Sequence, residues 1–295
     1  MNYFTPKELT ANFSNSCVAK SKLEIPKLLM LGLFAGILVS FAAVVGNTAT
    51  HTIVGDAGRL RMITGLLFGF GTSMAVVIGT ELFTGNSVMI IGVLDKKITL
   101  LSMFRNLLFA FCGNLLGAIL VAAGVAYSGQ LNMSENGLAV FSMKVAIGKM
   151  NMPFGNAFLQ GALCCMLIAF SVLIGSAAKD LTGKMLGAYI PIMFFVLCGF
   201  NHCVSDMYYC IVGLFAKNIP AYAAAATAAG LDLGKINLGQ YIVGNLIPVG
   251  LGNLAGGMFI GVIMWFNQIC LFCRKKNVPC DCEKKAEATC GCDEK

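Results

Sequence analysis

The sequence predicts an all-α integral membrane protein that crosses the bilayer six times. Of its 295 residues, 57% are hydrophobic and 12% are charged, whereas soluble domains carry about a quarter charged residues. The 34 glycines and 7 prolines favour closely packed helices, and no stretch shows the alternation of a transmembrane β-strand. Apolar segments long enough to span a bilayer begin near Lys27, Met62, Leu100, Phe154, Met185 and Gly239.

The residues before the first crossing, 1–26, are predicted to form a cytoplasmic amphipathic segment. Thr5-Pro6-Lys7-Glu8 has the pattern of a helix start, and Leu9 and Phe13 share one face of the helix that follows. We expect this helix to lie on the membrane or on a neighbouring protomer. The six-helix channel domain then occupies residues 27–272.

The crossings divide into two halves at the more polar stretch from Ser128 to Pro153. The third crossing contains Asn106-Leu followed by Gly113-Asn114-Leu. The sixth contains Asn245-Leu followed by Gly252-Asn253-Leu, with the same spacing. Because each half has three crossings, the second half enters the membrane from the opposite side. The match therefore predicts an inverted 3+3 repeat. A chance match between two glycine-rich helices is the alternative.

The second and fifth crossings are each interrupted by glycine and polar residues. The interruptions read Gly79-Thr-Glu-Leu-Phe-Thr-Gly-Asn86 and Gly199-Phe-Asn-His-Cys-Val-Ser-Asp206. An ionisable side chain in the middle of a bilayer is costly unless it faces protein or water, so His202 is a functional candidate. Paired broken helices are also the sequence feature that best marks a transport path.

Residues 273–295 form a predicted cytoplasmic tail that is rich in cysteine. Its paired thiols are Cys280 with Cys282 and Cys290 with Cys292. In a reducing cytoplasm such a cluster favours a soft-metal or redox site over disulfides, although structural zinc sites usually space their cysteines differently. A disordered tail with incidental thiols is the alternative. No other metal site and no cofactor are expected.

The net charge of +7 does not indicate nucleic-acid binding, because the basic residues flank apolar segments and form no compact patch. With both termini in the cytoplasm, six of the 21 lysine and arginine residues lie outside, namely Arg59, Arg61, Lys144, Lys149, Lys217 and Lys235. The positive-inside rule therefore predicts a multi-pass protein of the cell (inner) membrane with both termini cytoplasmic.

Over roughly Leu29 to Phe272 the chain resembles the formate/nitrite transporter family. Glu81-Leu-Phe-Thr-Gly-Asn86 and Gly199-Phe-Asn-His202 carry the resemblance, with support from Gly244-Asn-Leu-Ile-Pro248 and Gly252-Asn253. The resemblance implies an aquaporin-like six-helix protomer with broken second and fifth helices and a homopentamer embedded in lipid. It also implies a pore for a small monovalent anion through each protomer.

Four residues are predicted to form the substrate pore and proton relay. His202 would donate a hydrogen bond to the anion and relay protons, unless it is a packed histidine bonded to backbone at a helix end. Thr84 offers a hydroxyl to the anion, or it caps the next short helix. Asn253 donates through its amide or holds helices together. By resemblance, Lys149 raises the positive potential near the histidine, and a solvated loop lysine is the alternative.

By resemblance again, Phe68 and Phe195 match hydrophobic constrictions, and Thr72 matches a constriction position that is often leucine. A dry ring excludes hydrated ions, and ordinary core packing is the alternative for these side chains. The polar residues expected to support the broken helices are Glu81, Asn86 and Asn201.

The chain departs from the family pattern at Asn201, where glutamate is usual, and at Cys165, where an asparagine is often found. These departures make a hydrosulfide channel of the same family the main alternative to passive or proton-coupled transport of formate or nitrite. A neutral-solute pore is disfavoured because neither break carries the Asn-Pro-Ala of aquaporins, and a metal sensor that uses the cysteine tail is a third alternative. No catalytic constellation or P-loop is present, so no enzymatic activity is expected.

Overall fold

The computed structural model describes residues 2–270, apart from the side chain of Thr72, and most of these residues are helical. The helices are α1 (Pro6–Ser21), α2 (Ile25–Thr50), α3 (Ala57–Ile78), α4 (Phe83–Asn86), α5 (Ile90–Leu94), α6 (Leu100–Tyr127), α7 (Gly137–Met150), α8 (Phe154–Ala177), α9 (Leu181–Cys198), α10 (Cys203–Ala216), α11 (Pro220–Ala228), α12 (Leu238–Tyr241) and α13 (Ile247–Trp265). The predicted thiol pairs of the tail, Cys280, Cys282, Cys290 and Cys292, lie outside the described residues.

Six helical stretches in this part of the chain are long and apolar enough to cross a membrane. They are α2, α3, α6, α8, α9 and the stretch Leu238–Cys270, in which a π-helical turn joins α12 to α13. Each begins close to one of the apolar segments predicted from the sequence. The prediction of an all-α protein is therefore confirmed, and the described residues contain six candidate membrane spans, as many as the sequence predicts.

Two of these helices end at glycines in the left-handed conformation. Gly79 closes α3 with φ 76°, and Gly199 closes α9 with φ 75°. A residue with a Cβ pays roughly 1–2 kcal/mol in this conformation, so glycine is the residue that stops the helix here without strain. Extended residues follow, and the chain resumes as α4 at Phe83 and as α10 at Cys203.

Glycine also sets the close packing of two helix pairs. On α2 and α6, a Cβ at Gly36 would overlap the carbonyl of Asn114, and one at Gly117 would overlap that of Leu33. On α13, a Cβ at Gly256 would overlap the Ala162 carbonyl of α8. Small residues let helix backbones approach closely in membranes, so these glycines fix the α2–α6 and α8–α13 contacts.

The N-terminal helix forms as predicted but packs differently. The Glu8 carboxylate accepts the Thr5 N–H (2.8 Å), and the Glu8 N–H donates to the Thr5 hydroxyl (3.4 Å), which completes a capping box. Leu9 and Phe13 are buried in a cluster with Met89 of the same chain. The apolar face of α1 is therefore covered by its own protomer, and not by the membrane or a neighbour as expected.

The more polar stretch from Ser128 to Pro153, which the sequence marks only as the division between the two halves, contains a helix. Helix α7 lies there, preceded by Ser134, Glu135 and Asn136, which all have positive φ. It brings Lys149, in its last turn, against α10.

Candidate functional site

The side chains of His202 and Thr84 meet in the interior, although 118 positions separate them in the chain. His202 Nε2 lies 2.9 Å from Thr84 Oγ1, and both residues are buried. His202 is also the N-cap of α10, where its Nδ1 accepts the Ser205 N–H at 3.3 Å. A neutral imidazole that accepts at Nδ1 carries its proton on Nε2, so His202 donates to Thr84.

The sequence allows two interpretations of His202, a donor in the pore or a packed histidine at a helix end. The side chain caps α10 and also contacts Thr84, so its contacts fit both. For Thr84, the capping alternative is not what the contacts show. It lies inside α4, whose N-cap is Leu82 and which has no side-chain cap. Since its hydroxyl accepts from His202, the hydroxyl proton stays available for another acceptor.

Apolar side chains close the space around this pair. The rings of Phe68 and Phe195 meet edge to face with centroids 5.9 Å apart, and Phe195 lies 5.7 Å from the His202 ring. Both phenylalanines are only 2% exposed. Leu82, which sequence reasoning missed, is buried in the same core. Its signal was its position three residues after Gly79, the spacing that His202 has from Gly199.

We call the His202–Thr84 pair, with the packed side chains of Phe68, Phe195 and Leu82, the plug. Two cavities are lined in part by side chains of the plug. One, the Lys20 cavity, has a volume of about 220 Å³ and is lined by Phe13, Lys20, Glu81, Leu82 and Asn86 among others. The other, the Lys149 cavity, has about 150 Å³ and is lined by Asn47, Phe68, Lys149, Phe195 and Tyr209 among others. Three candidate membrane spans, α2, α3 and α6, lie between Lys20 and Lys149 in the chain. An odd number of spans puts the two lysines, and the cavities named after them, toward opposite membrane faces. Neither His202 nor Thr84 lines either cavity.

The Lys149 cluster, made of Lys149, Asn201, Asp206 and Asn245, lies beside the second break. The Lys149 ammonium forms an ion pair with Asp206 at 2.8 Å and donates to Asn201 Oδ1. Asp206 is fully buried, and its second oxygen accepts from Asn245 at 3.0 Å. Lys149 is thus neither a solvated loop lysine nor an uncompensated charge.

The Lys20 cluster, made of Lys20, Glu81, Asn86 and Asn106, lies beside the first break. Lys20, at the end of α1, pairs with Glu81 at 2.8 Å and donates to Asn86 Oδ1 at 2.9 Å. Asn86 in turn donates to Asn106 Oδ1 at 2.7 Å. Sequence reasoning missed Lys20, because nothing in the local sequence distinguishes it from the other lysines of that segment.

Asn114 and Asn253 hold the two breaks in place. The Asn114 amide donates to Gly32 O and Glu81 O and accepts the Phe83 N–H. The Asn253 amide donates to Gly161 O and Asn201 O and accepts the Cys203 N–H. With both amide protons of Asn253 taken up, its contacts favour the helix-holding interpretation over donation to an anion.

Of the two further positions singled out in the sequence, Cys165 and Thr72, the structure describes the side chain of Cys165 only. The thiol of Cys165 lies against the break, where it donates to the Thr84 carbonyl at 3.4 Å and lies 3.7 Å from Ser87 Oγ. A weak donor therefore stands near the Thr84 backbone at the position where the resemblance leads one to expect an amide. The side chain of Thr72 lies outside the described residues.

The sequence and the fold both match known transporters. The family model described as "Formate/nitrite transporter" matches residues 7–266. The formate channel FocA of Haemophilus influenzae is 30% identical over 262 residues, which cover 88% of this chain and 92% of that protein. The probable formate transporter of Methanothermobacter thermautotrophicus is 28% identical over 281 residues, covering 88% and 96%.

A solved structure, a pentameric formate channel with formate bound, has a TM-score of 0.73 to this fold. It is 29% identical in sequence, and the match covers 84% of this chain and 98% of the other.

Proposed function

This chain belongs to the formate/nitrite transporter family, and we propose that it conducts a small monovalent anion of the formate class through a pore in each protomer of a homopentamer. The observation that carries the proposal is the donor pair His202–Thr84, buried between two cavities on opposite sides of the protein. The formate transporters among its relatives and the pentameric formate channel of similar fold support the substrate class and the assembly.

The proposed scaffold is an inverted repeat in which α3 with α4–α5 forms a broken second crossing and α9 with α10 a broken fifth. The equivalent contacts of Asn114 and Asn253 support this arrangement, because each ties a loop carbonyl and the first N–H after the break to a neighbouring helix. The lysine clusters at both breaks support it further. The charge distribution favours both termini in the cytoplasm, and in that orientation the Lys20 cavity would open inward.

The anion would leave its hydration shell at the phenylalanine pair and be received by the Thr84 hydroxyl and by the His202 N–H, which would turn from Thr84 to the anion. A dry constriction rejects ions that hold their water strongly, and the two donors replace part of the lost hydration. Because the Ser205 N–H occupies His202 Nδ1, a second proton on the ring requires that this cap open. This favours a neutral donor and passive conduction over proton-coupled transport.

Hydrosulfide is the second candidate substrate. The Cys165 thiol in place of an amide beside the Thr84 backbone makes this part of the lining less polar. A softer, less strongly hydrogen-bonded anion such as HS⁻ is the species that such a lining would favour relative to formate.

The test is the flux of formate, nitrite, HS⁻ and chloride into liposomes that contain the protein, measured side by side across pH 5 to 8. We expect weak-acid anions to pass and chloride to be excluded, and His202→Asn to lower the rate with little change in its pH dependence, as a neutral donor requires. His51→Asn is the matched control, because His51 is the other histidine of the chain and bonds to Thr48 O and Ser134 Oγ away from the plug. An unchanged pH response in His202→Asn rules out a proton relay through this residue, and chloride flux equal to formate flux refutes the proposed selectivity.

A further inference from the structure

The Lys149 cavity contains a buried amide without a partner. Asn47, on α2, lines this cavity and is only 5% exposed, yet its Nδ2 has no hydrogen-bond partner within residues 2–270. Buried amides are almost always paired, because an unpaired one loses its bonds to water without replacement. A half-turn of the amide exchanges its oxygen and nitrogen, so its N–H donors can face the cavity.

Two further donors lie in the wall of the same cavity. Tyr209 lines it, and its hydroxyl makes no hydrogen bond within the described part of the chain. The Lys149 ammonium lies 5.7 Å from the centre of the Tyr209 ring and has three N–H donors, of which Asn201 and Asp206 take up at most two.

The other hydroxyls of the wall are already committed. Thr50, Thr64 and Ser205 each donate to a backbone carbonyl, at 2.7, 2.8 and 3.0 Å. The side-chain donors in the wall that remain available to a bound molecule therefore belong to Asn47, Tyr209 and Lys149. A cavity with spare donors suits a small anion better than a cation.

We propose that Asn47, Tyr209 and Lys149 form a second anion subsite, which holds a small carboxylate or nitrite-type anion before it reaches the Phe68–Phe195 constriction. The Asp206 carboxylate behind Lys149 offsets the lysine charge, so the hydrogen bonds from Asn47 and Tyr209 carry much of the binding. The subsite deepens the proposed function and rests on it.

The test is the concentration dependence of formate flux in proteoliposomes, with formate added on the Lys149 side. Asn47→Leu and Tyr209→Phe each remove a donor while keeping the branched or aromatic shape of the side chain, and we expect each to raise the half-saturating concentration about tenfold with little change in maximal flux. Tyr127→Phe is the matched control, since Tyr127 is 67% exposed and lies outside the cavity. An unchanged half-saturating concentration in both variants overturns the subsite.

Thermal unfolding in detergent provides a readout that does not depend on transport. Asn47→Leu removes an unpaired buried amide, so we expect its Tm without anion to equal or exceed that of the parent. We also expect formate to raise the Tm of the parent more than that of the variant. A parent that conducts formate but shows equal formate-induced shifts in both proteins refutes the subsite alone. A parent that conducts no anion refutes the proposed function.

Discussion

The two breaks carry the same cluster with its acid and amide exchanged. At the first break, Lys20 contacts the carboxylate of Glu81 and the amide oxygen of Asn86, five residues later. At the second, Lys149 contacts the amide oxygen of Asn201 and the carboxylate of Asp206, again five residues later. The carboxylate belongs to the loop in one half and to the first turn of a helix in the other.

This exchange bears on Asn201, where the resemblance leads one to expect glutamate. Within residues 2–270 each of the two lysines forms an ion pair with one carboxylate, which is Glu81 in the first half and Asp206 in the second. The first turn of α10 is a favourable place for a negative charge, because the helix N-terminus carries a partial positive charge. The arrangement therefore keeps each lysine charge balanced while the acid changes position.

The side chains of His202 and Thr84 do not follow this symmetry. Counted from the left-handed glycines, His202 stands where the first half has Leu82, and Thr84 stands where the second half has Val204. The lysine clusters and the asparagines match between the halves, whereas the residues at the plug differ. The contacts that match between the halves thus lie at the lysine clusters and the asparagines, and the halves differ at the residues proposed to receive the anion.

The largest expected effect comes from removing the buried acid of the second cluster. Asp206→Asn leaves the Lys149 ammonium without its only ion-pair partner in residues 2–270, and breaking a buried pair in this way costs about 3–5 kcal/mol. Adding Asn201→Glu moves the acid to the position it has in the first half, so the double variant should recover most of the loss. The measurement is unfolding of the purified protein in detergent, followed by heat or denaturant.

The first cluster provides the comparison for that experiment. Glu81→Gln should cost less than Asp206→Asn, because the side chain of Lys20 is more exposed than that of Lys149, 27% against 20%, and Glu81 is not fully buried. Adding Asn86→Asp to Glu81→Gln creates the acid position of the second half. If neither double variant recovers stability, the two positions are not interchangeable and the proposed equivalence of the clusters is wrong.

A smaller effect is expected at the glycines that pack the two helix pairs. Gly117→Ala pushes a Cβ into the Leu33 carbonyl between α6 and α2, and Gly256→Ala does the same to Ala162 between α13 and α8. Overpacking of this kind costs about 1–3 kcal/mol, and equivalent halves should lose similar amounts. Gly124→Ala and Gly250→Ala are matched controls on the same helices, because nothing lies within 4 Å of a Cβ there. A loss in the controls as large as in the test variants would assign the effect to something other than the helix contacts.

The sequence predicted the features that depend on local patterns. Apolar length marked the six candidate membrane spans, and the glycines before polar residues marked the ends of α3 and α9. His202 and Thr84 were predicted to share a site, and their side chains lie 2.9 Å apart. The position of Lys20 against Glu81 could not be read from the sequence, because it depends on α1 folding back over its own protomer.

Other parts of the site were hidden for similar reasons. The unpaired amide of Asn47 becomes visible only when the partners of every neighbour are known. Helix α7 was missed because the stretch was classified by its charges, although it presents Leu138, Met143 and Met150 to the core. The missing partner of Asn47 depends on contacts between distant segments, which residue patterns do not encode, whereas the helical spacing of the apolar residues of α7 is present in the sequence.

The smallest effect is expected at the start of α1, the helix that carries Lys20. Its counterpart α7 has no side-chain cap, whereas α1 has the Thr5–Glu8 capping box. Hydrogen bonds from Thr5 lower the pKa of Glu8, so the box is intact at neutral pH and is lost as the pH falls through this lowered value. Thr5→Ala should loosen α1 by about 1 kcal/mol.

Cys17 reports on this loosening, because it lies on the buried face of α1 and burial raises the pKa of its thiol to about 11. We expect alkylation of Cys17, followed by mass spectrometry at neutral pH, to proceed about fivefold faster in Thr5→Ala, since 1 kcal/mol changes the open population by about that factor. Asn136→Ala at the start of α7 is the matched control: Asn136 has φ 69°, so the change should disturb the second half and leave Cys17 labelling as it was. Equal acceleration of labelling in both variants would mean that Cys17 becomes accessible when the whole bundle opens. In that case the capping box does not hold α1 and Lys20 in place.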